Sequence, residues 1–133
     1  FKNPYLSTSK IKVKNLMFFG EKNNLIEIYN STDLILFCSN LDAIGRPVME
    51  AALMKKSSIV FLEKKITDYV IDGKTGFIIK NRNIKEAIKK IIYMYKNPKK
   101  KRKIDIEAHK FIKSKFGVKT NFNKFEKNIL NMI

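Results

Sequence analysis

The stretch that decides the fold is DLILFCSNLDAIGRPVMEAALMKKSSIVFL, residues 33–62. Its apolar run Asp33–Cys38 is continuous, as expected for a parallel strand that is covered on both faces. Pro47 suits the first position of a helix, which we expect to extend to about Lys55. Ser58–Leu62 is the next apolar run and predicts a second strand. A strand, a helix and a strand in this order predict a right-handed βαβ unit in a parallel sheet.

Upstream of this stretch, one more strand and one helix are predicted. Residues 14–19 form a short segment, apolar at its end, that runs into Gly20, which indicates a buried strand followed by a turn. Asn23 or Asn24 can then cap a short helix. The apolar residues of that helix are Leu25, Ile26, Ile28 and Tyr29.

Downstream, a turn, a strand and three helices are predicted. Residues 72–76 form a turn whose glycines are available for positive φ, and Phe77–Ile79 is a fourth strand. Asn83 followed by Glu86 resembles a capping box and starts a helix that Asn97-Pro98 ends. Two further helices cover about residues 99–115 and 118–133. The first of the three helices has apolar residues at helical spacing, with lysines opposite them: Ile84, Ala87, Ile88, Ile91, Ile92 and Tyr95.

The pattern predicts an α/β fold, a partial Rossmann-like doubly wound parallel sheet followed by C-terminal helices. We expect one incomplete domain over residues 1–133, with a lead-in at 1–13, a core at 14–97 and the C-terminal helices at 98–133. The chain opens on Phe1 in a polar stretch, and we expect it to be part of a longer protein. Ligands of such sheets bind beyond the carboxyl ends of the strands. The loops at Gly20, 39–46 and 63–67 are therefore the candidate binding edge.

The composition is strongly basic. Lys and Arg number 28 against 12 Asp and Glu, which gives a formal net charge of +16. Such a surface attracts phosphates, anionic lipid head groups and nucleic acid without defining a site for any of them. Six of the eight residues 96–103 are basic; a solvated helix start is the favoured interpretation, with lipid contact and nucleic-acid binding as weaker alternatives. No motif of a nucleic-acid-binding domain accompanies them.

Other residue counts limit the function classes further. No run approaches the roughly 18 apolar residues of a membrane-spanning helix. The single cysteine, Cys38, forms neither an internal disulfide nor a metal cluster by itself, and its place at the end of an apolar run predicts a small buried side chain. The only histidine, His109, lies in a Lys-rich helical segment and is expected on the surface.

The segment between the two strands of the βαβ unit contains the residues with candidate functional chemistry. Gly45 permits close approach of the backbone, and the first turn of the following helix offers unpaired N–H groups and a positive dipole end that suit a diphosphate. Arg46 adds a charge there, and Glu50, one turn in, can accept hydrogen bonds from vicinal hydroxyls. Asp42 can meet a second set of hydroxyls. A helix start with a capping Asp42 and a solvated Glu50 is the alternative that these residues leave open.

Several motifs, in order, resemble those of family-4 glycosyltransferases, which have the two-domain GT-B fold. Asp42-Ala-Ile-Gly-Arg-Pro-Val-Met-Glu50-Ala51 is similar to the family's Glu-x-Phe-Gly-x-Pro-x-x-Glu-Ala. Met17-Phe-Phe-Gly20 looks like its strand end, and Leu25–Cys38 is similar to its Leu-Tyr-x-x-Ala-Asp-Leu-Phe-Val segment. Residues 68–77 are close to its Glu-Ile-Val-Glu-Asp-Gly-Lys-Thr-Gly-Phe. The resemblance covers about residues 15–97 and extends more loosely to residue 116.

The resemblance implies the C-terminal, donor-binding half of such an enzyme, with Asp42 and Glu50 as its catalytic pair. Glu50 would bind the ribose hydroxyls of a nucleotide-sugar, and Asp42 the hydroxyls of the transferred sugar. Catalysis would be retaining and need no metal or other cofactor, because a helix terminus and basic side chains stabilise the leaving diphosphate. The implied donor-binding residues are Phe19 and Gly20 near the base, Asp42, Ala43, Ile44 and Gly45 at the sugar, Arg46 and Val48 at the diphosphate through their backbone N–H groups, and Glu50 at the ribose.

Three departures from the family pattern bear on activity. Asp42 stands where the family has Glu, which shortens the side chain by one methylene. Lys64-Lys65 replaces a glycine pair and lacks its backbone freedom. The upstream strands and the acceptor-binding half have no counterpart here, so we expect this chain not to transfer sugar alone.

We therefore expect the donor-binding domain of a cytoplasmic glycosyltransferase that builds a surface polysaccharide or glycolipid. Its partners would be a nucleotide-sugar and, through the other half, an acceptor sugar or lipid-linked acceptor. Peripheral contact with the cytoplasmic face of a membrane stays open, and nucleic acid is disfavoured. The main alternative is a non-catalytic module that binds a nucleotide or a partner.

Overall fold

The computed structural model describes residues 14–17, 24–38, 45–61, 69–117 and 121. From α1 onward, the order of helices and strands within these ranges is the one that the sequence predicts. They are α1 (Leu25–Asn30), β1 (Ile35–Cys38), α2 (Arg46–Leu53), β2 (Ser58–Phe61), β3 (Gly76–Ile79), α3 (Ile84–Lys96) and α4 (Pro98–Phe116).

The three strands form one parallel sheet in the order β1-β2-β3. The central strand β2 is buried over its first three residues, as a parallel strand between two neighbours and two helical layers must be. Its register places Ile59 between Leu36 and Phe77, and Val60 between Phe37 and Ile78. The predicted α/β class with a parallel sheet is confirmed.

Each face of the sheet has its own apolar cluster. On one face, Ile59, Phe77 and Ile79 pack against Ala87 and Met94 of α3. On the other, Val60 packs against Val48 of α2 and Val70. Helix α4 contacts both helical layers. Its Ile104 joins the first cluster, and a third cluster joins Ala52 of α2 to Ala108 and Ile112, further along α4.

A buried carboxylate fixes α4 at the amino end of β2. Asp105, 8% exposed, accepts hydrogen bonds at Oδ1 from the backbone N–H of Ser57 (2.9 Å) and from its hydroxyl (2.6 Å). Lys101, one turn earlier on the helix, donates to Oδ2 at 2.7 Å. The carboxylate therefore satisfies donors that would otherwise be buried without partners.

The predicted helix termini are confirmed at three points. Asn24 and Asn83 cap α1 and α3, each accepting a hydrogen bond at its side-chain oxygen from the backbone N–H three residues on. Asn97 separates α3 from α4, and Pro98 is the first residue of α4. Of the two glycines in the turn at 72–76, Gly73 uses positive φ (72°). Gly76 instead allows close approach, since a Cβ there would lie 2.4 Å from the Ser58 carbonyl oxygen.

The predicted strand at residues 14–19 is not borne out in the part the structure describes. Residues 14 and 15 form a turn in which Asn15 has a φ of 74°. Leu16 and Met17 are 46% and 73% exposed, so they are not buried strand residues. Residues 18 and 19, and nearly all of the predicted last helix at 118–133, lie outside the described residues.

The prediction for β1 was right in type and wrong in burial, and the predicted helix α3 buries only part of its apolar side. β1 is an edge strand of the described sheet, and its Leu36 and Cys38 are exposed instead of covered. α3 turns Ala87 and Met94 toward the sheet, while Tyr93 meets the ring of Phe77 edge-on at 6.1 Å. The rest of the predicted stripe is exposed by 36–85%: Ile84, Ile88, Ile91, Ile92 and Tyr95. We call this surface, together with Leu36, the open apolar flank.

Replacing the buried carboxylate tests its role in the fold. We expect Asp105→Ala to lower the free energy of unfolding by about 3 kcal/mol, because two Ser57 donors lose their acceptor inside the protein. Urea unfolding followed by circular dichroism measures the change. Glu107→Ala on the same helix is the control, since its ion pair with Lys110 spans 3.4 Å at the surface and such pairs contribute under about 1 kcal/mol. Equal stability of the two variants would contradict the assignment.

Candidate active site at the start of α2

The amino end of α2 lies beyond the carboxyl end of β1, at the edge of the sheet where ligands of this fold class bind. Gly45 is the residue before the helix and has extended backbone (φ −73°, ψ 163°). Arg46 is its first residue and is exposed, and Pro47 follows. Val48, only 1% exposed, anchors this first turn in the cluster with Val60 and Val70. The first turn of α2 is thus held by the buried side chain of Val48, while Arg46 and Pro47 at its start are exposed to solvent.

Gly45 is needed here for space. A Cβ at this position would lie 3.0 Å from Cζ of Phe37 and 3.1 Å from Cδ of Pro47. Because φ is negative, any residue could adopt the backbone conformation, but an added Cβ would require the Phe37 ring to shift by a few tenths of an ångström. The ring of Phe37 thus packs against the end of the loop, and close approach of a ligand to the Gly45 backbone stays a prediction.

The backbone N–H groups at this helix start are partly engaged. The N–H of Val48 donates to the carbonyl oxygen of Gly45 at 3.2 Å. A diphosphate contact from Val48 stays a prediction, and it requires that this hydrogen bond be shared or opened. Arg46 contributes both its N–H at the first helical position and a guanidinium on the surface.

Glu50 is not simply a solvated side chain, which was the alternative interpretation left open by the sequence. Its side chain is partly buried, and Oε2 accepts a hydrogen bond of 2.8 Å from the hydroxyl of Tyr29. Tyr29 belongs to α1 and is 8% exposed. A carboxylate has two oxygens and about four lone-pair sites, so one bond from Tyr29 leaves it able to accept others.

The same contact changes the acidity of Tyr29. Burial, followed by the hydrogen bond to Glu50 and the negative charge of Glu50, raises the pKa of Tyr29 from 10.0 to about 12. All three causes favour the neutral phenol. Tyr29 therefore remains a hydrogen-bond donor to Glu50 throughout the physiological pH range.

Tyr29 was not among the site residues predicted from the sequence. Helical spacing placed it with Leu25, Ile26 and Ile28 as an apolar position of α1. The available signal was chemical: a tyrosine buried by such a pattern needs a partner for its hydroxyl, and Glu50 is 21 residues away in sequence.

Five predicted site residues lie outside the described residues: Phe19, Gly20, Asp42, Ala43 and Ile44. The same holds for Lys64-Lys65. The described members are Gly45, Arg46, Val48 and Glu50, and the structure brings all four together along the first turns of α2. In the described part of the chain, no group of three or more His, Cys, Asp or Glu side chains could hold a metal ion. No helix found there is long and apolar enough to cross a membrane.

Comparison with known proteins identifies the family. Residues 4–111, most of the chain, match the sequence family "Glycosyl transferases group 1". This chain belongs to the group 1 glycosyl transferases. A curated relative is trehalose synthase from Pyrococcus horikoshii, 27% identical over 103 residues. That match covers 77% of this chain and 24% of the relative.

Solved glycosyltransferases share the fold. The C-terminal domain of the group 1 glycosyl transferase LpcC from Francisella tularensis aligns with a TM-score of 0.66 at 17% identity, over 77% of this chain and 53% of that one. HepE from Anabaena, solved with UDP and glucose, aligns with a TM-score of 0.75 at 20% identity, over 86% of this chain and 32% of that one. This group 1 glycosyl transferase chain thus has the fold of the C-terminal half of GT-B enzymes and spans a quarter to a half of the relatives' lengths.

The contact between Gly45 and Phe37 can be tested by adding one methyl group. We expect Gly45→Ala to lower the free energy of unfolding by about 1–3 kcal/mol, because the Cβ overlaps a ring that packed neighbours hold in place. Chemical denaturation measures this. The control is Gly73→Asn, since an added Cβ meets nothing there and Asn tolerates positive φ. A Gly45→Ala protein as stable as the control would show that Phe37 moves aside freely.

The raised pKa of Tyr29 predicts a pH effect with a definite sign. Because the folded-state pKa lies above the ordinary value of 10.0, the stabilisation is fully present below pH 10 and is lost as the pH rises toward 12. Ultraviolet titration of tyrosinate should show one tyrosine that ionises late and that is missing in Tyr29→Phe. Glu50→Gln should lower this pKa by removing the negative charge. Titration of every tyrosine near pH 10 would contradict the contact.

Proposed function

We propose that this chain is the donor-binding part of a retaining, nucleotide-sugar-dependent glycosyltransferase. The observation that carries the proposal is the carboxylate of Glu50, which accepts a hydrogen bond from Tyr29 one turn into α2. A carboxylate for ribose beside a helix terminus for phosphate is the arrangement by which many α/β proteins bind nucleotides. HepE, which shares the fold, was solved with UDP and glucose, and this supports a nucleotide-sugar as the donor.

Each part of the donor has a candidate partner in this proposal. Glu50 accepts hydrogen bonds from the ribose hydroxyls. Asp42, together with the backbone from Ala43 to Gly45, holds the hydroxyls of the sugar to be transferred. The N–H groups of Arg46 and Val48 contact the diphosphate. The base lies near Phe19 and Gly20.

The proposed chemistry is electrostatic. Transfer breaks the bond between the sugar's anomeric carbon and the diphosphate oxygen, so negative charge grows on the leaving group. The positive end of the α2 dipole and the guanidinium of Arg46 stabilise that charge without a resident metal ion or other cofactor. We propose retention of the anomeric configuration, with Asp42 and Glu50 positioning the donor for it.

The rest of the reaction is assigned outside this chain. An acceptor, either a sugar or a lipid-linked sugar, would bind to the other half of a GT-B enzyme, so we propose that this chain alone does not transfer sugar. Surface polysaccharide or glycolipid synthesis on the cytoplasmic side of a membrane is the proposed setting. The net charge of +16 supports peripheral contact with anionic lipid there.

Nucleotide titration tests the proposal directly. We expect the chain, isotope-labelled and observed by NMR, to bind one of UDP, GDP and ADP saturably in buffer containing EDTA. Glu50→Ala should weaken that binding by about 1–3 kcal/mol, the cost of losing a charged hydrogen-bond partner. Glu86→Ala is the matched control, because it removes the same side chain from α3, away from the start of α2.

The two possible failures have different meanings. Saturable binding that Glu50→Ala leaves unchanged would exclude Glu50 as the ribose partner. No binding of any of the three nucleotides would overturn donor binding by this chain and favour the alternative of a non-catalytic, partner-binding module.

A further inference from the structure

We propose that Tyr29 is a positioning residue of the donor site, which orients Glu50 so that its carboxylate meets the ribose hydroxyls of a nucleoside diphosphate. The inference rests on the proposed function of Glu50. It extends that function to a second residue, on a different helix, that does not itself need to touch the nucleotide.

The geometry gives Tyr29 the means to hold Glu50. Tyr29 is 8% exposed, and its side chain has only two torsions. Packing therefore holds the phenol hydroxyl in one position. Glu50 has three torsions and, as a partly buried side chain near a helix start, would otherwise sample several rotamers. The 2.8 Å bond to Oε2 selects one of them.

The two helices that carry this pair are held together by a second contact. Lys56, just after α2, donates from Nζ to the backbone carbonyl of Asn30, the last residue of α1, at 3.3 Å. Just after α1, the hydroxyl of Thr32 donates to the carbonyl oxygen of Ile28 at 2.6 Å and closes the helix end next to Tyr29. The phenol therefore approaches Glu50 from an element that is itself tied to α2.

The direction of the hydrogen bond leaves Glu50 able to accept further hydrogen bonds from a ligand. The neutral phenol donates its proton to Oε2 of the carboxylate. This bond also fixes the orientation of the lone pairs of Glu50 that remain available. Vicinal hydroxyls are donors that match such a pre-oriented acceptor. Pre-orientation adds affinity by removing the cost of ordering Glu50 when the nucleotide binds.

A different role for the same bond makes a different prediction. If Glu50 merely satisfies the buried phenol, removing the hydroxyl changes stability and affects all ligands alike. If Tyr29 positions Glu50 for ribose, removing the hydroxyl weakens only ligands that carry ribose hydroxyls. The distinction lies in the ligand, so it can be measured independently of folding.

The experiment compares UDP with 2′,3′-dideoxy-UDP, or the matching GDP or ADP pair if one of those is the nucleotide that binds. We expect Tyr29→Phe to weaken the ribonucleotide about three- to tenfold, the value of one hydrogen bond. Binding of the dideoxy form should stay unchanged. Tyr95→Phe on α3 is the control, since that side chain is 85% exposed. Thermal unfolding establishes that each variant is folded.

Each other result overturns the inference. Equal weakening of both nucleotides, or no weakening of either while Glu50→Ala still weakens the ribonucleotide, would leave donor binding intact and reduce Tyr29 to a structural residue. If Glu50→Ala leaves ribonucleotide binding unchanged, the assignment of Glu50 as the partner of the ribose hydroxyls is itself wrong. Should Tyr29→Phe fail to fold, Tyr29→Met serves in its place: it also removes the hydroxyl that contacts Glu50 while keeping a large apolar side chain, and it should show the same selective loss for the ribonucleotide.

Discussion

The buried carboxylate of Asp105 is the constraint on which the arrangement of this domain depends. It joins α4 to the amino end of the central strand through both donors of Ser57, and Lys101 balances its charge. With α4 fixed there, Ile104 joins the cluster on the α3 face of the three-stranded described sheet, and Ala108 and Ile112 pack against Ala52 of α2. The opposite, carboxyl end of the sheet is left for loops and for the start of α2. Stability and binding are thus assigned to opposite ends of the same strands, as is usual for parallel sheets.

The proposed donor site, in turn, depends on contacts that reach it from neighbouring elements. The ring of Phe37 in β1 packs closely against Gly45, and Tyr29 of α1 donates a hydrogen bond to Glu50. The motif identified in the sequence runs along a single loop and helix, but its described part, Gly45 to Glu50, is contacted by two aromatic residues that precede it in the chain. In the proposed function, Glu50 keeps its negative charge for the ribose hydroxyls, because its partner in the described residues is a neutral phenol and not a cation.

Local patterns were sufficient to predict most elements, whereas burial depends on neighbours that a local pattern does not contain. Capping by Asn24 and Asn83 follows from the chemistry of one residue and the three after it, and both caps are present. The apolar run before Cys38 correctly predicts a strand, but the sheet position of that strand decides whether it is covered. In α3 the periodicity fixes the helix, not which side of its apolar arc meets the sheet. Tyr29 illustrates the same limit at the site, since its partner is brought near by tertiary packing alone.

The open apolar flank has a consequence for the behaviour of the chain in solution. The exposed isoleucines of α3 and Leu36 on an edge strand favour apolar association with another copy of the chain. The net charge of +16 opposes this association by electrostatic repulsion. The repulsion acts over a Debye length, which shrinks from about 30 Å at 0.01 M salt to about 8 Å at physiological ionic strength, whereas apolar attraction does not weaken with salt. Colloidal stability of this chain is therefore electrostatic in origin, and its solubility should fall as salt is added, the reverse of a protein whose association is driven by ion pairs.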